Sequence, residues 1–255
     1  SQSITVTGTP QLKLETGTID GLASYASGTG SKDIVFNYTI GSGENSSDLD
    51  YTSTTALDLN GGTLKDASGN AAILTLSAPA ATNSLGANKA LVIDTNGPTV
   101  VSVSSTNEDG AYKSGDTINV VVTFNENTVV TGNPKISLET GVKDGIGNYL
   151  SGSGSTGLIF QYIVNLDDHS SDLEYQTISS LILNAGTIKD SQGNNALLTL
   201  PVPGETNSLS ANKAIVIDNI APLVSNLVEG SLVISTDLDF QGDTSSLKLA
   251  WSGSD

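Results

Sequence analysis

Ile118-Asn119-Val120-Val121-Val122-Thr123-Phe124 decides the fold class. Ile118, Val120, Val122 and Phe124 occupy every second position, and successive side chains of a strand point to opposite faces, so the run predicts a strand with one buried face. The alternation returns at Leu158, Phe160, Tyr162 and Val164, and earlier at Ile34, Phe36, Tyr38 and Ile40. Shorter apolar runs at 181–183, 197–200 and 214–217 predict further strands. Between them lie Asn184-Ala185-Gly186 and Asp190-Ser191-Gln192-Gly193-Asn194, which supply the Gly and Asn that tight turns with positive φ require. About seven short strands in roughly 120 residues, with no sustained helical period, predict an all-β chain of antiparallel sandwiches.

Working outward, the chain repeats itself. Val6-Thr7-Gly8, Pro10 and Leu14-Glu15-Thr16-Gly17 return as Val130-Thr131-Gly132, Pro134 and Leu138-Glu139-Thr140-Gly141, a shift of 124 residues. That one shift lays 4–98 on 128–222 without a gap, and about half of the aligned positions are identical. Solenoid units run roughly 20–50 residues, so this period is domain-sized. The expected units are 1–97, a repeat lacking its first two strands, 98–222, a complete repeat, and 223–255, the start of a further β domain around Trp251. Nothing before Ser1 plays the part of 98–127, and the chain contains no Met, so it is expected to be a piece of a longer polypeptide.

Composition narrows the partners. There are 27 acidic residues against 10 basic ones, with a formal net charge of −17. The basic residues are all Lys, so the bidentate guanidinium fork that favours phosphate is missing, and nucleic acid and anionic lipid are both repelled. Cations, neutral glycans and basic proteins remain. With no Cys, disulfides and thiolate metal sites are excluded, and no apolar run approaches the ~20 residues needed to span a bilayer.

The succession Asp94 to Pro98, Gly115-Asp116, Val122-Thr123-Phe124-Asn125-Glu126, Val130-Thr131-Gly132-Asn133-Pro134, Lys189-Asp190 with Gly193-Asn194, and Val216-Ile217-Asp218 with Pro222 resembles the immunoglobulin-like repeats of large bacterial surface adhesins. The resemblance implies tandem sandwiches, an extracellular or cell-surface location, and frequent calcium binding between neighbouring domains. Residues 223–255 are similar to the start of a fibronectin type III-like module.

Any chemistry is expected in the acidic loops. Successive loops of a seven-strand sandwich fall at alternate ends. On that rule the lower end of the second repeat holds the loop from Asp109 to Asp116, the 190–194 turn and Asp218. The lower end of the first repeat holds Asp66, Asn70 and Asp94, with Asn96 in the linker, and the upper end of the second offers Asn125 and Glu126 beside Asp167, Asp168 and Asp172. Carboxylates held together repel by roughly 4 kcal/mol per pair at 4 Å and an effective dielectric of 20, so a divalent cation is the natural counter-charge. Calcium accepts six to eight oxygens in loose geometry, and the expected ligands are Asp66, Asn70, Asp94, Asn96, Asp109, Glu126, Asp190 and Asp218. The competing reading is local, because Asp and Asn also favour turns by bonding their own backbone.

Catalysis fits less well. His169 stands alone and is Asn45 in the first repeat, no nucleophile elbow accompanies it, and one His without Cys makes a poor zinc site. Gly152-Ser153-Gly154-Ser155 lacks the Lys of a phosphate loop and reads as a hairpin turn. Paired carboxylates could serve a glycosidase, but duplicated acidic positions suit duplicated joints better than duplicated active sites. Tyr25, Phe36, Tyr38 and Tyr51 match Tyr149, Phe160, Tyr162 and Tyr175 and are assigned to the two cores. The expected function is therefore a non-enzymatic, calcium-stiffened spacer whose partners are neighbouring domains of the same chain. A surface glycan or protein as a binding partner is the alternative.

Overall fold

The computed structural model describes residues 2–220, and within them the chain is all-β, with two four-residue helices. Nine elements belong to the first repeat: β1 (Thr5–Thr7), β2 (Gln11–Leu14), β3 (Gly21–Ser27), β4 (Val35–Asn37), β5 (Asn45–Ser46), β6 (Leu57–Asp58), β7 (Thr63–Lys65), α1 (Leu85–Asn88) and β8 (Ile93–Asp94). The second repeat adds β9 (Val100–Ser105), β10 (Gly110–Tyr112), β11 (Thr117–Thr131), β12 (Lys135–Glu139), β13 (Gly145–Ser151), β14 (Ser155–Ile163), β15 (Glu174–Tyr175), β16 (Leu181–Ile182), β17 (Thr187–Lys189), α2 (Leu209–Asn212) and β18 (Ile215–Ile217). Residues 223–255, including Trp251, lie outside the described residues.

The opening stretch forms the first half of β11. Ile118, Val120, Val122 and Phe124 all point inward and are buried, while the intervening positions are only partly covered. β11 pairs antiparallel with β14 on one side and β9 on the other, in the registers Val120↔Phe160 and Val122↔Val103. Beyond an irregularity between Thr123 and Thr128, the same strand changes partner and pairs with β17, Val129 opposite Lys189. One strand thus serves two rows of neighbours.

The resulting core gathers Val103, Ile118, Val120, Val122 and Phe124 against Leu158, Phe160, Tyr162, Leu173, Tyr175, Leu209 and Ile215. Full burial of such a side chain stabilises by about 1.5–3 kcal/mol. Phe160 meets Tyr149 edge to face with ring centroids 6.0 Å apart, and Phe36 meets Tyr25 likewise at 6.4 Å. The matched aromatics do line the two cores, as their pairing across the repeat predicts.

Two boundaries differ from the sequence reading. The expected strand at 214–217 is β18, which pairs in parallel with β10. The expected strand at 197–200 is not regular: Leu197 bonds the Pro98 carbonyl, Leu200 bonds the Ile178 carbonyl, and Leu200 buries its side chain in the core. The apolar run was real, but its backbone is satisfied by separate neighbours instead of one ladder.

The first repeat builds a smaller version of this arrangement. Its sheet runs β4-β3-β2-β6, with β4 at the edge. Its core is correspondingly short, namely Leu14, Ala23, Leu49, Tyr51, Ala56 and Ile93, with Phe36 and Tyr38 only partly buried.

Candidate functional site

The linker between the repeats is pinned on both sides. The Pro98 carbonyl accepts from Leu197 N–H at 2.7 Å, and Thr99 and Asn125 exchange two bonds, through the Asn125 side-chain oxygen at 2.7 Å and the Thr99 carbonyl at 3.0 Å. Gly97 lies so close to the Asn195 carbonyl that a Cβ there would stand 1.8 Å from the oxygen. Only glycine permits that approach.

This closure brings Asp94 at the end of β8, Glu126 within β11 and Asp190 just after β17 together, each offering a carboxylate oxygen within 4.8 Å of the others. Asp94 and Glu126 are half-buried and Asp190 is buried. Asn194 ties the set across the joint. Its Nδ2 donates to an Asp190 carboxylate oxygen at 2.6 Å and to the Asp94 backbone carbonyl at 3.1 Å, and its backbone N–H reaches the other Asp190 oxygen at 2.8 Å.

The electrostatics divide the three acids. Burial pushes the Glu126 carboxyl above the usual range, and the charges of Asp94 and Asp190 push it further. Burial acts the same way on Asp190, but the Asn194 amide and the N–H groups of the turn outweigh it and hold that carboxyl below its ordinary value. Asp190 is therefore a fixed anion, and Glu126 is the acid that bears the repulsion.

The loop-alternation rule misplaced several residues. Asp190 does not share an end with Asp109 and Asp218. The antiparallel register of β17 on the second half of β11 sets Lys189 opposite Val129, so the following turn emerges beside Glu126, at the joint. By the same register Lys65 faces Thr5, which carries Asp66 and Asn70 to the corresponding entry end of the first repeat, away from Asp94. There Asp66 accepts from Ser68 N–H, Asn70 N–H and Asn70 Nδ2, each at 2.9 Å, and these bonds hold its carboxyl low.

At the exit end, Asp109 accepts from Ala214 N–H at 3.1 Å and lies 4.0 Å from Lys213 Nζ, while Asp218 caps Ile220 N–H at 2.8 Å. Asp168 also belongs there. Its carboxylate takes the Tyr162 hydroxyl and the Asn165 side-chain amide at 2.8 Å, and its carbonyl takes Asn219 Nδ2 at 2.7 Å. Asn96 donates its N–H to Asp94 Oδ1 at 3.1 Å, as a turn residue supporting the cluster from the linker.

Of the eight expected ligands, Asp94, Glu126 and Asp190 are brought together. The bridging role of Asn194 was missed, although its signal, Asp-x-x-Gly-Asn in both repeats, was present. Three carboxylates and several backbone carbonyls, with no sulfur or imidazole donor, suit a hard divalent cation of the calcium type. No known family model, curated protein or solved structure matches the chain.

Proposed function

We propose that this chain is a non-enzymatic structural segment of a bacterial cell-surface or secreted adhesin, built from tandem immunoglobulin-like sandwiches whose joint is stiffened by calcium. The observation that carries the reading is the convergence of Asp94 from one repeat with Glu126 and Asp190 from the next. At such separations each charge pair opposes closure by roughly 4 kcal/mol at an effective dielectric of 20, and a divalent ion turns that opposition into cohesion. Asp94, Glu126 and Asp190 would hold the ion, with Asn194 orienting Asp190. An extracellular setting fits the weak affinity of about 10⁻⁴–10⁻³ M typical of calcium modules outside cells.

Glycan binding is less well supported. A shallow groove of about 340 Å³ runs over β13 and β14 past Asn148, Tyr149 and Gln161, but the Tyr149 ring is engaged with Phe160 and offers no open stacking platform. The deciding experiment is thermal melting and small-angle scattering with millimolar calcium and with a chelator. Calcium should raise the melting temperature and narrow the distribution of shapes, and Asp190→Asn should abolish both effects. Identical curves with and without chelator would refute the calcium joint.

A further inference from the structure

We infer that the open face of the first repeat is a docking surface for a polypeptide that supplies an antiparallel strand pair of the kind formed by residues 98–127. This goes beyond a spacer role, because it gives the first repeat a partner.

The second repeat shows what the face is shaped to hold. There β9 and the first half of β11 cover β14 and fill the core with Val103, Ile118, Val120, Val122 and Phe124. Among the described residues, β4, the counterpart of β14, pairs with β3 alone and leaves its other edge open. The side chains behind that edge are the same in kind but differ in cover. Ile40 is 53% exposed where Val164 is 2% exposed, and Leu91 is 43% exposed where Ile215 is fully buried.

Polar groups define the partner more narrowly than apolar area could. In the second repeat the Asn207 carbonyl accepts Val103 N–H at 2.9 Å, and Asn212 Nδ2 donates to the Val103 carbonyl at 2.8 Å, so two asparagines grip both backbone groups of one strand residue. Lys213 Nζ then takes the Asn107 carbonyl at 2.8 Å. Asn83, Asn88 and Lys89 reproduce all three residues around α1. The framework is preserved as well: Asn83 and Asn207 share the left-handed conformation, with φ 74° and 71°, and Ser84 and Ser208 cap the two helices through the same bond. Among the described residues the Asn83 carbonyl and the Asn88 amide have no hydrogen-bond partner.

An acceptor and a donor set to grip one extended residue, beside an open strand edge and an apolar floor, specify two strands. A sugar or lipid would satisfy neither the edge nor the asparagine pair. A second copy of this chain is disfavoured as the donor, since giving up its own 98–127 would expose the five core residues it already buries.

The test is to titrate a synthetic peptide of residues 98–127 into the whole chain, using calorimetry and hydrogen exchange. The expected result is saturable one-to-one binding with slowed exchange at β4 and around Leu91. A peptide carrying Val120→Asp and Val122→Asp should not bind. Asn88 is exposed, so Asn88→Ala should leave the circular dichroism unchanged while weakening the peptide about three- to tenfold, the range set by one hydrogen bond. No saturable binding, equal binding of the charged peptide, or protection confined to the second repeat would overturn the inference. So would protection of β4 that arises without peptide as the chain dimerises, because it would make a second copy the occupant.

Discussion

Tyr38 and Tyr162 occupy equivalent places in two copies of one sequence pattern, yet Tyr162 is buried and Tyr38 is only partly so. Both hydroxyls donate to an acid in the following loop, Glu44 and Asp168, and burial raises the pKa of both. The difference comes from elsewhere: β9 and β11 stand over Tyr162 and have no counterpart over Tyr38 among the described residues. Burial here belongs to the strand pair that closes the sandwich, and the side chain inherits it.

The largest break in this comparison should come from charging the covering strand. Val120→Asp places an unpaired carboxylate in the centre of the second core and is expected to cost about 4 kcal/mol or more, so that calorimetry shows the second repeat melting no later than the first. Truncating the floor tests the same idea more gently. Phe160→Ala should cost about 3–5 kcal/mol, whereas Phe36→Ala should cost no more than about half as much because its site is already open. Equal losses would mean that the first repeat is as closed as the second.

A pH scan probes the crossing loops. Glu174 accepts from the N–H groups of Gly204, Leu209 and Ser210 and from the Ser210 hydroxyl. Burial opposes its ionisation, but these bonds prevail and lower its pKa. A lowered carboxylate contributes stability that is complete above the ordinary Glu range and is lost as pH falls through the depressed value. Glu174→Gln should therefore be less stable at neutral pH, and its deficit should shrink on acidification; a deficit independent of pH would contradict this. The smallest expected effect is at the joint. Asn194→Ala should cost about 1 kcal/mol and loosen the two repeats relative to each other, read by residual dipolar couplings, while Asn70→Ala in the equivalent turn should leave their orientation unchanged.

Much of this was readable from residue order. Alternation at Ile118, Val120, Val122 and Phe124 names the buried face because the side-chain period of a strand is two. The repeat separates core aromatics from the rest and marks Asp94 and Glu126 as neighbours across a linker. What could not be read was which loops share an end. That depends on β11 changing partner near Glu126, from β14 to β17, and the change is a pairing between residues some 60 apart whose local sequence looks like an ordinary strand. The Asp190 turn was assigned to the wrong end for this reason. The joint is also less repetitive than the repeat: Glu126 is matched by Gln2, Asn96 by Ile220 and Gly97 by Ala221, so neither the acidic set nor the close approach at Gly97 is copied at the other positions.

The strand order has a mechanical side. β9 enters the second repeat from the joint, and β18 leaves it at the opposite end, parallel to β10. Tension transmitted from one repeat to the next would enter and leave along strand axes, with the ladder hydrogen bonds lying across the direction of pull. Rows loaded in that way slide against one another and must yield together instead of unzipping singly. A segment of this build resists stretching through its topology, independently of how much apolar surface it buries.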